Sequence, residues 1–187
     1  QLAAAQHPAV VDFLDGQARA SLQVVPQYRR ASVLACRAAP ARFIDALPPP
    51  AHHLIDLTKY NNVLARQAHT ASVQSSRGCP AACAFCDIRK TVYRARSPEN
   101  VVAELEQLVA LGTRDFFFVD DTFTVDKKRV IRICELIEEQ GLDIEFKVSS
   151  RTDTISPEVV RALKRAGCYR IHYGVESVTP RLLKYLE

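Results

Sequence analysis

Three cysteines crowd into the stretch "RGCPAACAFC" at Cys79, Cys83 and Cys86, with only small or apolar side chains between them. Thiolates spaced this way on one loop hold a metal, and the count of three leaves open which kind. A structural zinc site takes four protein ligands, so His69 or a distant cysteine would have to complete it. A low-potential electron-transfer cluster also takes four, in the bacterial ferredoxin run spaced two, two and three apart. The order here is three then two, with no proline-flanked fourth. A cubane cluster held on three cysteines instead leaves one iron open to a ligand that is not protein. The remaining cysteines, Cys36, Cys134 and Cys168, are scattered and read as ordinary buried thiols.

The elements that must present this loop are regular from Ala71 onward. Short β-branched or aromatic runs, "ASVQSS", "DFFFV", "IEFKVS" and "YRIHY", alternate with amphipathic helical runs, the pattern of βα repeats around a parallel sheet. The last three strand starts, Asp115, Ile144 and Tyr169, lie 29 and 25 residues apart, roughly one strand plus one crossover helix. Ser97-Pro98-Glu99 and Ser156-Pro157-Glu158 each offer a capping hydroxyl, a proline for the first turn and an acid at the positive helix end, and Thr179-Pro180 repeats the opening. Gly112, Gly141 and Gly167 stand where those helices stop. Val101, Val102, Leu105, Leu108 and Val109 share one helical face, as do Val130, Ile133, Cys134 and Ile137. The fold class expected is α/β, a partial parallel (β/α) barrel of about four units preceded by an irregular linker.

In such folds chemistry gathers where strands lead into helices. The cysteines follow the first strand, Asp120-Asp121 the second, Ser149, Ser150 and Arg151 the third, and Glu176-Ser177 the fourth, so four strand ends deliver polar or metal-binding groups to one rim. His7, His52 and His53 read as solvated linker histidines and His172 as a barrel-lining residue. Arg161, Lys164 and Arg165 read as a solvated helix face.

CxxxCxxC after the first strand, with Phe85 before the last cysteine, resembles the radical S-adenosylmethionine (SAM) superfamily. The resemblance implies that Cys79, Cys83 and Cys86 bind a 4Fe-4S cluster whose open iron chelates SAM. One electron then cleaves the sulfonium to a 5'-deoxyadenosyl radical. "YRARSPENVVAELEQLV", "FFFVDDTFT", "SSRTDTIS" and "KRAGCYRIHYGVES" are similar, in order and spacing, to the branch with an amino-terminal cobalamin-binding domain, which includes anaerobic porphyrin cyclases and methyltransferases. Carried over by that resemblance, Asp120 and Asp121 lie near the methionyl amine, and Ser149 and Arg151 toward its carboxylate. Glu176 and Ser177 fall near the ribose and methionyl groups, and Phe85 near the adenine.

On this basis residues 1–41 are expected to be the tail of an upstream domain, 42–70 an interdomain linker similar to that branch's, and 71–187 the first part of the barrel. The expected reaction is methyl transfer or ring formation on an unreactive carbon of a small molecule. The expected cofactors are the cluster, SAM and, through a domain upstream of Gln1, cobalamin. The expected electron donor is a flavodoxin or ferredoxin. The chain starts at Gln1 and contains no methionine, which reads as a fragment expected to be inactive alone. Alternatives are a methylthiotransferase of the same superfamily, which would need further cluster cysteines upstream, and a non-enzymatic iron–sulfur or zinc module. A net charge of +4 spread over scattered basic residues does not point to nucleic acid. No apolar run approaches the ~18 residues that span a bilayer, and no signal-peptide pattern opens the chain, so a cytoplasmic protein is expected.

Overall fold

The computed structural model describes residues 22–24, 34–36, 44–60 and 65–186, and the chain divides into two units between Arg42 and Phe43. In the first unit β1 (Leu22–Val24) pairs antiparallel with β2 (Leu34–Cys36). His7 and most of the expected tail over 1–41 lie outside the described residues.

The second unit opens with single 3-10 turns at Ile44–Ala46, His52–Leu54 and Leu57–Lys59. Next come β3 (Thr70–Val73) and a small antiparallel ribbon of β4 (Ser76–Arg77) and β5 (Arg94–Ala95). Helices then alternate with strands: α1 (Pro98–Ala110), β6 (Asp115–Phe118), α2 (Lys127–Glu139), β7 (Glu145–Arg151), α3 (Pro157–Arg165), β8 (Cys168–Gly174) and α4 (Pro180–Leu186). Strands β3, β6, β7 and β8 form one parallel sheet in chain order, so each neighbour is reached by one crossover helix. This is the repeat of a (β/α) barrel, present here as four strands of an open sheet.

Local chemistry sets the helix limits. The Ser97 and Ser156 hydroxyls accept from the Asn100 and Val159 N–H groups, and Asp126 caps α2 by accepting from Arg129 N–H. After α3, Gly167 adopts φ +98°, and a Cβ there would stand 2.1 Å from the Ile144 carbonyl oxygen. No other residue type permits both the left-handed turn and that approach.

One face of the sheet carries the core. Ala71, Val73, Phe116, Phe118, Phe146 and Val148 meet the apolar stripes of the helices, including Val101, Leu105, Leu108, Ile133, Ile137 and Leu163. Phe118 packs at a 45° tilt on Phe123 and edge-on against Phe146, with centroids 4.7 and 5.4 Å apart. Each of these wholly buried rings contributes about 1.5–3 kcal/mol by burial. The opposite face is polar: by register Ser72, Phe117, Lys147 and Arg170 form one row, and Ser149 and His172 the next.

Two expectations need correction. The first strand ends at Val73, short of the expected Ser76, because the Asp120 carboxylate takes the Ser75 N–H and the chain turns there. Ser76 then pairs with Ala95 in the separate ribbon. His52 is not a solvated linker residue: its Nε2 lies 2.7 Å from Glu104 Oε1, while Glu104 Oε2 accepts from Arg96 Nη1. Glu104 is 2% exposed, so its carboxylate needs both partners, and His52 supplies one from the turn His52–Leu54. His53 is exposed, as expected.

Candidate metal centre

The β4–β5 ribbon brackets the cysteine loop. At its entrance Gly78 has φ +85°, with Val92 O only 2.3 Å from where a Cβ would sit. Thr91 ties the loop across its base: its hydroxyl accepts from Cys79 N–H at 2.9 Å and its own N–H donates to Cys79 O at 3.0 Å. Lys90 N–H donates to Ala81 O, and Cys86 N–H closes a turn onto Cys83 O. Cys79 is buried with its Sγ 3.6 Å from Thr122 Oγ1, whereas Cys83 and Cys86 are half-buried. All three are free thiols.

The second and third strand ends reach this loop. Asp121 Oδ2 accepts from Gly78 N–H at 3.1 Å. Asp120 turns its carboxylate beneath the loop. It is 3% exposed, and its carboxylate accepts from Ser75 N–H at 2.7 Å, Ser75 Oγ at 2.5 Å and Ser76 Oγ at 2.6 Å. It is a strut under the loop. Arg151, at the end of β7, donates from Nη1 to Cys83 Sγ at 2.9 Å, while its Nε and Nη2 donate to the two Asp153 oxygens at 2.9 and 2.7 Å. The Asp153 carboxylate, with Cys83 beside it, pushes the guanidinium pKa up, and Arg151 holds the Asp153 carboxyl below its usual range. An open cleft of about 440 Å³ lies here, lined by Cys79, Cys83, Val125, Arg151, Asp153 and Thr154.

The remaining sequence-derived residues surround this centre less closely. Ser149 lies on the polar face of the sheet, and its carbonyl accepts from Phe123 N–H. Phe85 is 56% exposed beside Cys86. Glu176 is exposed in a left-handed conformation at φ +57°, unusual for a residue with a Cβ, and its carboxylate folds back over Gly174. The Ser177 hydroxyl accepts from Thr179 N–H at the start of α4, and α4 returns to the loop by accepting Ala84 N–H on Leu186 O at 2.8 Å. Asp153, Thr91 and the α4 contact were not found by sequence reasoning. Asp153 alone had a signal, two residues beyond Arg151 in "RTD".

Among the described residues no three His, Cys, Asp or Glu side chains stand close enough to hold a single ion. The fit of a metal group therefore rests on the donor set, which is three free thiols on a loop braced from two neighbouring strands with a guanidinium on one sulfur. That set suits a cluster binding to several separate sulfurs.

The pattern of the radical SAM superfamily matches residues 73–187, from the end of the first barrel strand to the last residue. The chain belongs to the radical SAM superfamily. Membership implies a 4Fe-4S cluster and SAM as cofactors. An uncharacterized methyltransferase of Pyrococcus horikoshii is 37% identical over 147 residues, covering 76% of this chain and 31% of the relative. The anaerobic magnesium-protoporphyrin IX monomethyl ester cyclase of a Synechocystis strain is 29% identical over 160 residues, 78% of this chain and 32% of the cyclase. Among solved structures, the cobalamin-dependent radical SAM enzyme OxsB, with aqua-cobalamin and SAM bound, superposes with a TM-score of 0.54 at 25% identity, over 62% of this chain and 19% of that one. The chain thus spans about a third of the length of these curated relatives.

Proposed function

We propose that residues 71–187 are the first part of the barrel of a radical SAM enzyme that reductively cleaves SAM for methyl transfer or ring formation on an unreactive carbon of a small molecule. The observation that carries this reading is the braced three-cysteine loop at the end of the first of four sequential parallel strands. Cys79, Cys83 and Cys86 would hold the cluster, which when bound would supply one electron to the sulfonium of SAM.

The chain's own part is to bind and orient. Arg151 places a positive charge and a donor at Cys83, and Asp121 holds Gly78 so that the loop keeps its shape. Glu176, Ser177, Ser149 and Asp121 are the polar groups offered to the amino-acid and ribose ends of SAM, with Arg151 toward its carboxylate. Phe85 offers an exposed ring for the adenine. Asp120 serves these contacts through the strut it forms with Ser75 and Ser76.

Residues 42–70 act as the linker and residues 1–41 as the tail of a preceding domain. The methyltransferase and cyclase relatives, with the cobalamin-dependent structural neighbour, support cobalamin as that domain's cofactor. Flavodoxin or ferredoxin is the electron donor in this reading, which places the protein in the cytoplasm. No helix among the described residues is long and apolar enough to cross a membrane.

Anaerobic loading with iron and sulfide tests the proposal. The expected product is a brown protein whose reduced-state EPR signal shifts on adding SAM. A colourless zinc protein with no SAM-dependent signal would establish the structural-module alternative. Methylthiolated product together with a second cluster would establish the methylthiotransferase.

A further inference from the structure

Arg151 does more in this structure than stand at a strand end. Each of its three nitrogens donates one hydrogen bond, two to Asp153 and one to the sulfur of Cys83. The planar guanidinium matches a carboxylate along one edge, which leaves the remaining Nη1 pointing in a direction set by Asp153. That direction is Cys83 Sγ, 2.9 Å away. Arg151 is only 27% exposed at its side chain, so solvent screens the contact incompletely. Cys79, by contrast, has the neutral Thr122 hydroxyl 3.6 Å from its sulfur. The loop therefore gives one cysteine a charged donor that the others lack among the described residues.

We propose that Arg151, clamped by Asp153, is a positioning residue that raises the reduction potential of the cluster by donating a charged hydrogen bond to the Cys83 sulfur. The inference rests on the reading of Cys83 as a cluster ligand. One-electron reduction adds negative charge to the cluster and its sulfurs without moving an atom between molecules. A cation bonded to a ligand sulfur stabilises the reduced state more than the oxidised one. The electron comes from the external donor; Arg151 changes only how readily the cluster accepts it.

The test is a potentiometric EPR titration, with resonance Raman of the Fe–S(Cys) stretches, on the anaerobically loaded protein and its variants. Arg151→Met removes both charge and donor at similar length. At a fixed solution potential its ratio of reduced to oxidised cluster is expected to fall about tenfold, equal to about 59 mV for a one-electron couple. Its Fe–S stretch should move up as the sulfur loses its hydrogen bond. Arg151→Lys keeps the charge without the fork and should recover part of both shifts. Asp153→Asn should move the stretch in the same direction as Arg151→Met. Iron and sulfide content confirms that each variant is loaded, and if Arg151→Met takes up no cluster, Arg151→Lys is read by the same two measurements. A fully loaded Arg151→Met with the wild-type potential and stretch overturns the proposal, and so does an Arg151→Lys that recovers nothing. A wild-type protein that takes up no cluster removes the cluster reading itself. A loaded wild type with unmoved variants removes only the role of Arg151.

Discussion

Replacing Asp120 with alanine distinguishes a buried strut from a residue that meets the cofactor, because only the strut stabilises the protein before any cofactor is bound. Asp120 is 3% exposed and accepts three hydrogen bonds of 2.5 to 2.7 Å from Ser75 and Ser76. Hydrogen bonds to a charged acceptor contribute about 1.5–3 kcal/mol each. The three do not add, since the two serine hydroxyls can turn to other acceptors once the carboxylate is gone. The Ser75 N–H cannot turn, and it is left buried without a partner. A net loss of about 3–5 kcal/mol follows, a large part of the roughly 5–15 kcal/mol that holds a domain folded. With a urea slope of about 2 kcal/mol per molar, the midpoint of the metal-free protein should fall by about 2 M. Asp120→Asn keeps one acceptor oxygen, and its amide can donate to a serine hydroxyl, so roughly half that loss is expected. The measurement is urea unfolding followed by circular dichroism, without iron or SAM. A shift in Asp120→Ala below about 1 kcal/mol would show that the carboxylate is free for a ligand, and would refute the reasoning.

Three further outcomes are expected. Gly78→Ala must displace Val92, whose carbonyl would lie 2.3 Å from the new Cβ, so the variant should keep its helical circular dichroism yet take up well under half the wild-type iron; full iron content would show that the loop tolerates a side chain. Burial pushes the Cys134 thiol up to about 12 and Cys168 to about 11, so brief iodoacetamide treatment of the metal-free protein at pH 8 should label the half-buried Cys83 and Cys86 and spare both; peptide mapping that finds Cys134 alkylated as fast as Cys83 would contradict this. Lys147 is 1% exposed with no hydrogen-bond partner for its Nζ among the described residues, and burial lowers its pKa. The charged form is therefore penalised in the fold: the penalty is full below the lowered pKa and fades as pH rises toward the ordinary lysine value of about 10.4. Lys147→Met should accordingly stabilise the protein by about 1–2 kcal/mol at pH 7, with the gain shrinking by pH 10; a loss at pH 7 would show that the attraction of the ammonium to the Phe117 ring, 5.0 Å away, and to the Asp115 charge outweighs the burial.

Much of the scaffold was legible in the sequence because it depends on short-range rules. The stripes Val101, Leu105, Leu108 and Val130, Ile133, Ile137 lie on the faces their spacing required, and Ser97 and Ser156 cap the helices they precede. The end of β3 was not legible, because the residue that bends the chain at Ser75 is Asp120, 45 positions later. His52 was misread for the same reason: its partner Glu104 is 52 positions away, and a proline-rich neighbourhood gives no sign of it. Asp153 was overlooked because its importance comes from Arg151, and that of Arg151 from a sulfur 68 positions earlier.

The order of residue types along the chain was enough to determine the parallel repeat, the starts of α1 and α3 and the loop of three thiols, since each follows from periodicity, capping or ligand spacing within a few residues. Which side chains touch that loop was decided only by folding. Asp120 and Asp121 are adjacent in sequence, yet one lies beneath Ser75 and Ser76 and the other holds Gly78, and Arg151 reaches Cys83 only because parallel pairing aligns the strand ends. Hydrogen bonds depend on distances of a few ångströms, and separation along the chain does not set those distances.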